Sequence, residues 1–525
     1  MADFGRYPIG EQDYASLRDR DSIYIDKTRY IEKIIMSGSK YYFLARPRRF
    51  GKSLFLSTLR YFFEGRRELY KGLYIDSVDW GWEAYPVLRL DLNTEKYYEE
   101  GLLDVAIDNL FSKWENLYDV ELKAGSVSSR FHNIIEAAHR KTGKQVVILV
   151  DEYDKPLVGN INDDRLFEHF RTKLASLYSN FKSSADHIRL VFMTGVSRFS
   201  KLSIFSDLNN LDDITFENEY ADICGITEGE LKANLSEGVD ALSKEYGLAV
   251  KEVYNLLKKN YDGYRFAEKG SEIYNPWSLL NCLSKREIGN YWNMTGMPTI
   301  IAEALKGMDA DIEAVLNMEC DKRRLLGLDL KNLEPLALLY QTGYLTIKDY
   351  DREMGLYTLG IPNLEVKQGL FDVLLPYYVK VRSSNVSDIV IQMSSSLRRG
   401  QPDNFMKNMQ TYFAGIPYQL KMDNENNFHN AFYILMTILG YNTEAEASTS
   451  DGRIDLLIKT ENYIYIIELK FDGSAEQAIR QIEEKGYARP FLCDSRKVFM
   501  IGANFSSKTR SIKDWQICSK ENALP

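Results

Sequence analysis

The sequence predicts an α/β protein: a parallel sheet in its first part, a mostly helical middle region, and a second compact α/β domain at its end. Three observations carry this. Over the first 225 residues, short apolar runs alternate with amphipathic helical stretches, the pattern of strands covered on both faces of a sheet. From residue 226 to 403 the apolar period turns mainly helical. From residue 404 onward short apolar strands return, in an α-β-β-α-β order. A chain of 525 residues is also too long for one ordinary core, which fits a division into 1–225, 226–403 and 404–525.

The strands of the first part read as Tyr41–Leu44, Val87–Leu90, Val146–Val150 and Leu190–Met193, with helical patterns around Leu54–Phe63 and Phe167–Tyr178. In the middle, Leu231–Leu248 and Val250–Lys259 read as helices, with Gly263 and Asn275-Pro276 as punctuation. A strand-like piece, Tyr344–Ile347, allows a winged-helix form of this region. The stretch Arg382–Asp403 is Ser-rich and reads as a soft boundary. Beyond it, Asn427–Leu439 and Ala475–Lys485 have helical periods. Ile454–Ile458 and Tyr463–Leu469 read as paired strands, and Val498–Ile501 as a final short one.

Composition narrows the function classes. Hydrophobic residues at 45% and charged residues at 27% are a globular balance. A net charge of −9 argues against a protein coated in positive charge for nucleic acid, and leaves a local basic cleft open. The five cysteines (Cys224, Cys282, Cys320, Cys493, Cys518) form no Cys-x-x-Cys pair. That argues against a disulfide framework or structural zinc and fits a reducing compartment. Met1–Arg20 has no apolar core like that of a signal peptide, and no apolar run is long enough to span a bilayer. The expectation is a soluble, cytoplasmic protein with no membrane partner.

The first chemical motif follows the strand at Tyr41. Arg46-Pro47-Arg48-Arg49-Phe50-Gly51-Lys52-Ser53-Leu54 is a tight turn leading into a helix. Backbone N–H groups at a helix N-terminus surround phosphate oxygens, and the helix dipole favours the anion. Gly51 lets the backbone approach, Lys52 reaches the β- and γ-phosphates, and the Ser53 hydroxyl ligates Mg²⁺. Arg49, Phe50 and Leu54 complete the expected phosphate-binding set. Arg46 stands where the usual pattern has its first Gly. Arg46, Arg48 and Arg49 form a basic cluster whose nearer anion is a bound triphosphate. The companion feature is Val146–Val150, an apolar strand ending in Asp151-Glu152-Tyr153-Asp154. Asp151 is expected to hold Mg²⁺ and Glu152 to polarise the attacking water. Leu190–Met193 runs into Thr194-Gly195-Val196-Ser197-Arg198. Either Thr194 or Ser197 senses the γ-phosphate and Arg198 stabilises transition-state charge, or this is a hydroxyl-rich turn with a surface arginine. The sequence leaves both readings open.

The second motif is Gly452-Arg453-Ile454-Asp455, then Ile467-Glu468-Leu469-Lys470. Two strands joined by a polar turn bring Asp455 near Glu468, and paired carboxylates hold Mg²⁺ or Mn²⁺. Glu468 and Lys470 are two apart, so they share a strand face. Lys470 then orients or deprotonates water, or stabilises charge on phosphorus. Glu446 is the further metal ligand, ahead of Glu444, and Glu425 is another candidate. Each of these acids has a plain alternative as a solvated or helix-start carboxylate. Gln481 reads either as a surface residue or as a contact to substrate or water. His429 reads as structural.

These residues, in order, resemble a bacterial family that pairs an AAA-ATPase-like N-terminal domain with a C-terminal nuclease-like domain of the PD-(D/E)xK superfamily. Its carriers include Tyr24-Ile25-Asp26-Lys27-Thr28, Arg46–Ser53, Asp151–Asp154, Tyr261-Asp262-Gly263-Tyr264-Arg265-Phe266, Tyr274-Asn275-Pro276, Ile361-Pro362-Asn363-Leu364-Glu365-Val366, and the two Asp455 and Glu468 segments. The resemblance covers nearly the whole chain. It implies a P-loop NTPase sheet followed by a restriction-endonuclease-like domain, and it makes Arg46 a family trait. It also assigns nuclease-core roles to Asp455, Glu468 and Lys470. It implies an ATP-binding, ATPase-like part and a metal-dependent, DNase-like domain; because both sites stand in one chain, the expectation is that the two are coupled. DNA or another nucleic acid is then a partner, and an oligomer is allowed. The alternative is a nucleotide-dependent switch, or a binder of nucleic acid or a partner, with an inactive nuclease-like domain.

Overall fold

The computed structural model describes residues 7–121, 125–161, 163–198, 210–292, 318–326, 335–370, 383–414, 435, 442–449, 452–491, 494–509 and 511–520. The chain forms two compact units. One comprises residues 1–297 with 316–366, the other 298–315 with 367–525.

The first unit is built on five strands, β1 (Tyr41–Ala45), β2 (Val87–Asp91), β3 (Val146–Asp151), β4 (Ile188–Gly195) and the two-residue β5 (Asp212–Asp213). They lie in the order β2-β3-β4-β1-β5, and every neighbour pair is parallel. Every residue of β1 and β3 is buried, which is why these strands read as unbroken apolar runs. Helices Gly101–Leu117, Val127–Thr142 and Asp164–Tyr178 connect or cover them. Their ends follow local chemistry. Ser126 and Asp163 accept from first-turn N–H groups, and Gly143 closes its helix in the left-handed region after His139, Arg140 and Lys141. The order of the sheet sets β4 between β1 and β3. Residues at the C-terminal ends of these three strands therefore face one edge of the sheet, where ligands of open α/β sheets bind.

The helical part of this unit follows a small antiparallel pair, β6 (Ile226–Thr227) with β7 (Ile273–Tyr274). Glu228–Asn234, Ser236–Tyr246, Val250–Tyr261 and Pro276–Lys285 pack around Leu231, Leu235, Val239, Val253, Leu257 and Leu279. The single helix expected over 231–248 is two. At Leu235 the backbone leaves the helical region (φ −127°), and its buried side chain joins the shared core. A three-stranded antiparallel sheet, β8 (Glu319–Asp321), β9 (Thr346–Asp351) and β10 (Leu356–Gly360), has the order β8-β10-β9.

The second unit has a mixed sheet of five strands in sequence order: β11 (Asn442–Thr449), β12 (Gly452–Lys459), β13 (Tyr463–Phe471), β14 (Lys497–Ser506) and β15 (Ser511–Lys520). Only β13 and β14 are parallel, and the helix Ala475–Glu484 is their crossover. The sequence of β13 shows why both sheet faces are covered. Ile464 and Ile466 pack with Ile479 and Ile482 of the crossover helix, while Tyr465 and Ile467 pack with Phe405, Met406 and Met409. The expected final strand at 498–501 is longer and is followed by β15, so it is interior to the sheet. The Ser-rich stretch expected as a soft boundary is the helix Ser383–Arg398, with Met393 and Leu397 buried. The helix expected over 427–439 lies outside the described residues, apart from Leu435.

Candidate functional sites

The first site grows from the end of β1. Gly51 has φ +96°, a left-handed conformation that disfavours a side chain, and it caps the helix Lys52–Phe63 without a side-chain acceptor. First-turn N–H groups of such a helix have no intrahelical partner and suit an anion. Arg48, Arg49, Phe50, Gly51, Lys52, Ser53 and Leu54 line a cleft of about 370 Å³ together with Glu152. Lys52 is buried. Its Nζ donates to the Arg46 and Pro47 carbonyls at 3.0 and 3.2 Å, and lies 4.0 Å from Glu152 Oε1. Glu152 follows β3 with φ +53°, a strained setting for a non-glycine residue that turns it towards the lysine side of the sheet. Burial pushes its carboxyl above the usual range, against the pull of Lys52.

Asp151 and Thr194 sit deeper. Thr194 Oγ1 donates to Asp151 Oδ1 at 2.8 Å, and Arg89 Nη2 lies 3.7 Å from Asp151 Oδ2. Asp154 ties the end of β3 to the turn after β4 by accepting from the Ser197 N–H at 2.6 Å and from the Ser197 hydroxyl. Arg198 is not among the cleft-lining residues. Its Nε donates to Asp213, and its backbone N–H donates to Gln341 Oε1 at 2.7 Å. Arg265 is directed to the Ala267 carbonyl at 3.1 Å.

The arginine cluster divides. Arg46 is buried and leaves the basic surface altogether. Its guanidinium donates to the carbonyls of Ala45, Thr215 and Tyr220 at 2.8–3.0 Å and covers the Phe266 ring at 4.5 Å. A glycine at this position has nothing with which to hold that segment. Arg49 instead stacks on Trp277 at 4.3 Å. Phe50 turns its ring into Tyr264 and Phe266 and accepts the Gly225 N–H at 3.1 Å.

Sequence reasoning assigned no site role to the rest of the cleft. Pro8–Gln12, Ile23–Ile25, Ile223–Ile226, Trp277 and Leu280 form its wall away from the phosphate loop. Two signals were readable: the Tyr24–Thr28 motif, of which Tyr24, Ile25 and Lys27 line the cleft, and Asn275-Pro276, a helix start that fixes the place of Trp277 one residue later.

The second site lies on β12 and β13. Their antiparallel register ends at Leu456↔Ile467, so Asp455 and Glu468 are the next step beyond the ladder. Asp455 Oδ2 accepts the Leu469 N–H at 2.8 Å. Lys470 Nζ donates to Glu468 Oε1 at 3.1 Å and to Gln481 Oε1, on the crossover helix, at 2.7 Å. Glu468 is buried, and among the described residues its Oε2 has no hydrogen-bond partner. Burial first, then the Asp455 charge, push the Glu468 carboxyl up to about 7. On β11, Ala445↔Leu456 and Ala447↔Ile454 bracket Glu446, which places it across from Asp455. The Glu446 side chain lies outside what is described, as does the whole of Glu425 and His429. Among the described residues no group of three or more His, Cys, Asp or Glu is arranged to hold a metal ion.

Residues 8–205 match the family described as AAA-ATPase_like, predicted AAA-ATPase, and residues 423–515 match the PD-(D/E)XK nuclease superfamily. A protein of Azotobacter chroococcum mcd 1, named "Uncharacterized protein in vnfD 5'region", is 34% identical over 522 residues. That alignment covers 97% of this chain and 98% of the relative. Among the described residues no helix is long and apolar enough to cross a membrane.

Proposed function

This chain belongs to the family that joins a predicted AAA-ATPase to a PD-(D/E)XK nuclease superfamily domain, and we propose that it is an ATP-binding ATPase whose nucleotide state governs a metal-dependent, DNase-like site. The three-part reading, with ATPase, helical connector and nuclease regions over 1–225, 226–403 and 404–525, belongs to the same proposal. The observation that carries it is Glu468. A buried carboxylate with one oxygen on Lys470 and the other without a partner among the described residues, beside Asp455, has the donor chemistry of a divalent-cation site.

In the cleft, the loop amides and Lys52 bind the β- and γ-phosphates. Ser53 and Asp151 would hold the Mg²⁺ that accompanies a triphosphate, and Glu152 takes a proton from, or orients, the attacking water. Thr194 keeps Asp151 in place, and Arg198 reaches the nucleotide only if it leaves Asp213. In the second unit, Asp455, Glu468 and Glu446 would hold Mg²⁺ or Mn²⁺. Such a cation neutralises phosphodiester charge and acidifies a water. Lys470 orients that water, and Gln481 fixes the lysine.

The test is incubation of the full chain with plasmid and with single-stranded DNA, with Mg²⁺ or Mn²⁺, in the presence and absence of ATP. Cleavage by wild type that is lost in Asp455→Ala supports the reading. No cleavage by wild type under any of these conditions ends it. If Lys52→Ala also abolished ATP hydrolysis that the wild type shows, the chain would be a nucleotide-dependent switch with an inactive nuclease-like domain.

A further inference from the structure

Three motifs supply none of the expected catalytic or phosphate-binding groups, although Pro276 lines the cleft: Tyr261–Phe266, Tyr274–Pro276 and Ile361–Val366. In the first unit they meet. One line of contacts begins in the cleft, where the Arg49 guanidinium covers Trp277 at 4.3 Å. The Trp277 Nε1–H donates to the Tyr291 carbonyl at 3.1 Å. The N–H groups of Tyr291 and Trp292 both donate to Glu365 Oε1, at 2.5 and 2.9 Å. Ser278, next to Trp277, also faces the Glu365 carboxyl. Glu365 is buried, and among the described residues its Oε2 meets no hydrogen-bond donor within bonding geometry.

A second line begins at Phe50, whose ring meets Tyr264 and Phe266 edge-on. Their strand-like arm is held against the same segment as Glu365. Asn363 Nδ2 donates to the Asp262 carbonyl at 2.8 Å. Gly263, at φ +92°, lies so close that a Cβ there would stand 2.3 Å from the Pro362 carbonyl oxygen. Both lines therefore end on residues 361–366. Val366 is the last residue of the first unit, and the helical turns starting at residue 364 run on to 370.

We propose that this pair of contacts relays the state of the nucleotide cleft to the chain entering the second unit, with Glu365 as the receiving group. The inference rests on the reading that the cleft binds a nucleoside triphosphate. Arg49 lines the cleft, and its charge-assisted bonds to phosphate are stronger than its stacking on Trp277. A triphosphate therefore draws the guanidinium from the indole. Trp277 and Tyr291 then readjust, and buried Glu365 follows the two N–H groups it holds. The phosphate loop moves Phe50 at the same time, so both lines act on one segment.

The experiment is hydrogen exchange of the full chain with Mg²⁺ and a non-hydrolysable ATP analogue, followed at residues 46–54 and 361–370. The wild type is expected to slow by roughly threefold or more at both. Glu365→Ala and, as the gentler change, Asn363→Ala should keep affinity for a fluorescent ATP analogue within about twofold, and keep the protection at 46–54. Both should lose most of the response at 361–370. Wild-type protection confined to 46–54 overturns the relay while leaving nucleotide binding intact, as does an undiminished distal response in Asn363→Ala. No protection at 46–54 overturns both the binding reading and the relay that depends on it.

Discussion

The two sites are built in opposite ways. The second is local: Asp455, Glu468, Lys470 and Gln481 lie within one hairpin and the crossover helix that follows it. The first draws on segments as far apart as Pro8 and Leu280, and its phosphate loop is fastened from outside by Arg46 and Phe50. A local site is fixed by register, and its chemistry is carried by a few side chains. A distributed site is fixed by packing, and changes at a distance reach it. The difference predicts that the second site fails by loss of single charged groups, whereas the first can also fail by loss of buried struts.

The largest effect expected is on the local site. Glu468→Gln should lower phosphodiester cleavage by about 1000-fold, several kcal/mol of barrier, without loss of ATP binding. Cleavage gels and an ATP-binding titration on the same preparation check both halves. Next, Lys52→Ala should reduce ATP turnover by roughly 100-fold in a phosphate-release assay. The third change separates struts from ligands. Arg46→Gly restores the glycine of the usual loop pattern, yet it strips three carbonyls of their donor. It should cost about 2–4 kcal/mol in a denaturant melt and weaken nucleotide binding. Unchanged stability and binding would show that the loop needs no external fastening. Gln481→Ala, which removes the acceptor of the Lys470 ammonium, should slow cleavage by about tenfold.

The smallest effect is on pH. The folded value of Glu468, about 7, lies above its ordinary value of 4.5. The stability linked to it is complete below about pH 4.5 and is lost as pH rises through 7. Glu468→Gln removes that slope. In metal-free buffer its melting temperature should therefore gain on that of the wild type by about 3 °C between pH 5 and pH 8.

The same contrast explains what could be read in advance. β1, β3 and β13 announced themselves as apolar runs because both of their faces are covered, and Asp455 with Glu468 followed from two apolar strands joined by a polar turn. The caps at Ser126, Asp163 and Ser474, by contrast, are visible in the structure and were not singled out in the sequence. What escaped the sequence was set by tertiary contact. Nothing in Arg46 says that its charge turns inward to three carbonyls instead of out to a ligand. The break at Leu235 comes from a core position that needs a leucine, where propensity favours continuing the helix. The N-terminal wall of the cleft, Pro8–Gln12, carries no chemical motif, and Trp277 becomes part of the site only through the path of a helix that starts at Pro276.

The most direct test of the central claim, that one chain couples a nucleotide cleft to a metal-dependent phosphodiesterase site, is a paired titration. Cleavage rate and cleft occupancy are measured together as ATP is raised at fixed Mg²⁺. Cleavage is expected to change with the same midpoint as occupancy, and Lys52→Ala to hold cleavage at its nucleotide-free rate. Cleavage that stays constant while the cleft fills would contradict that coupling.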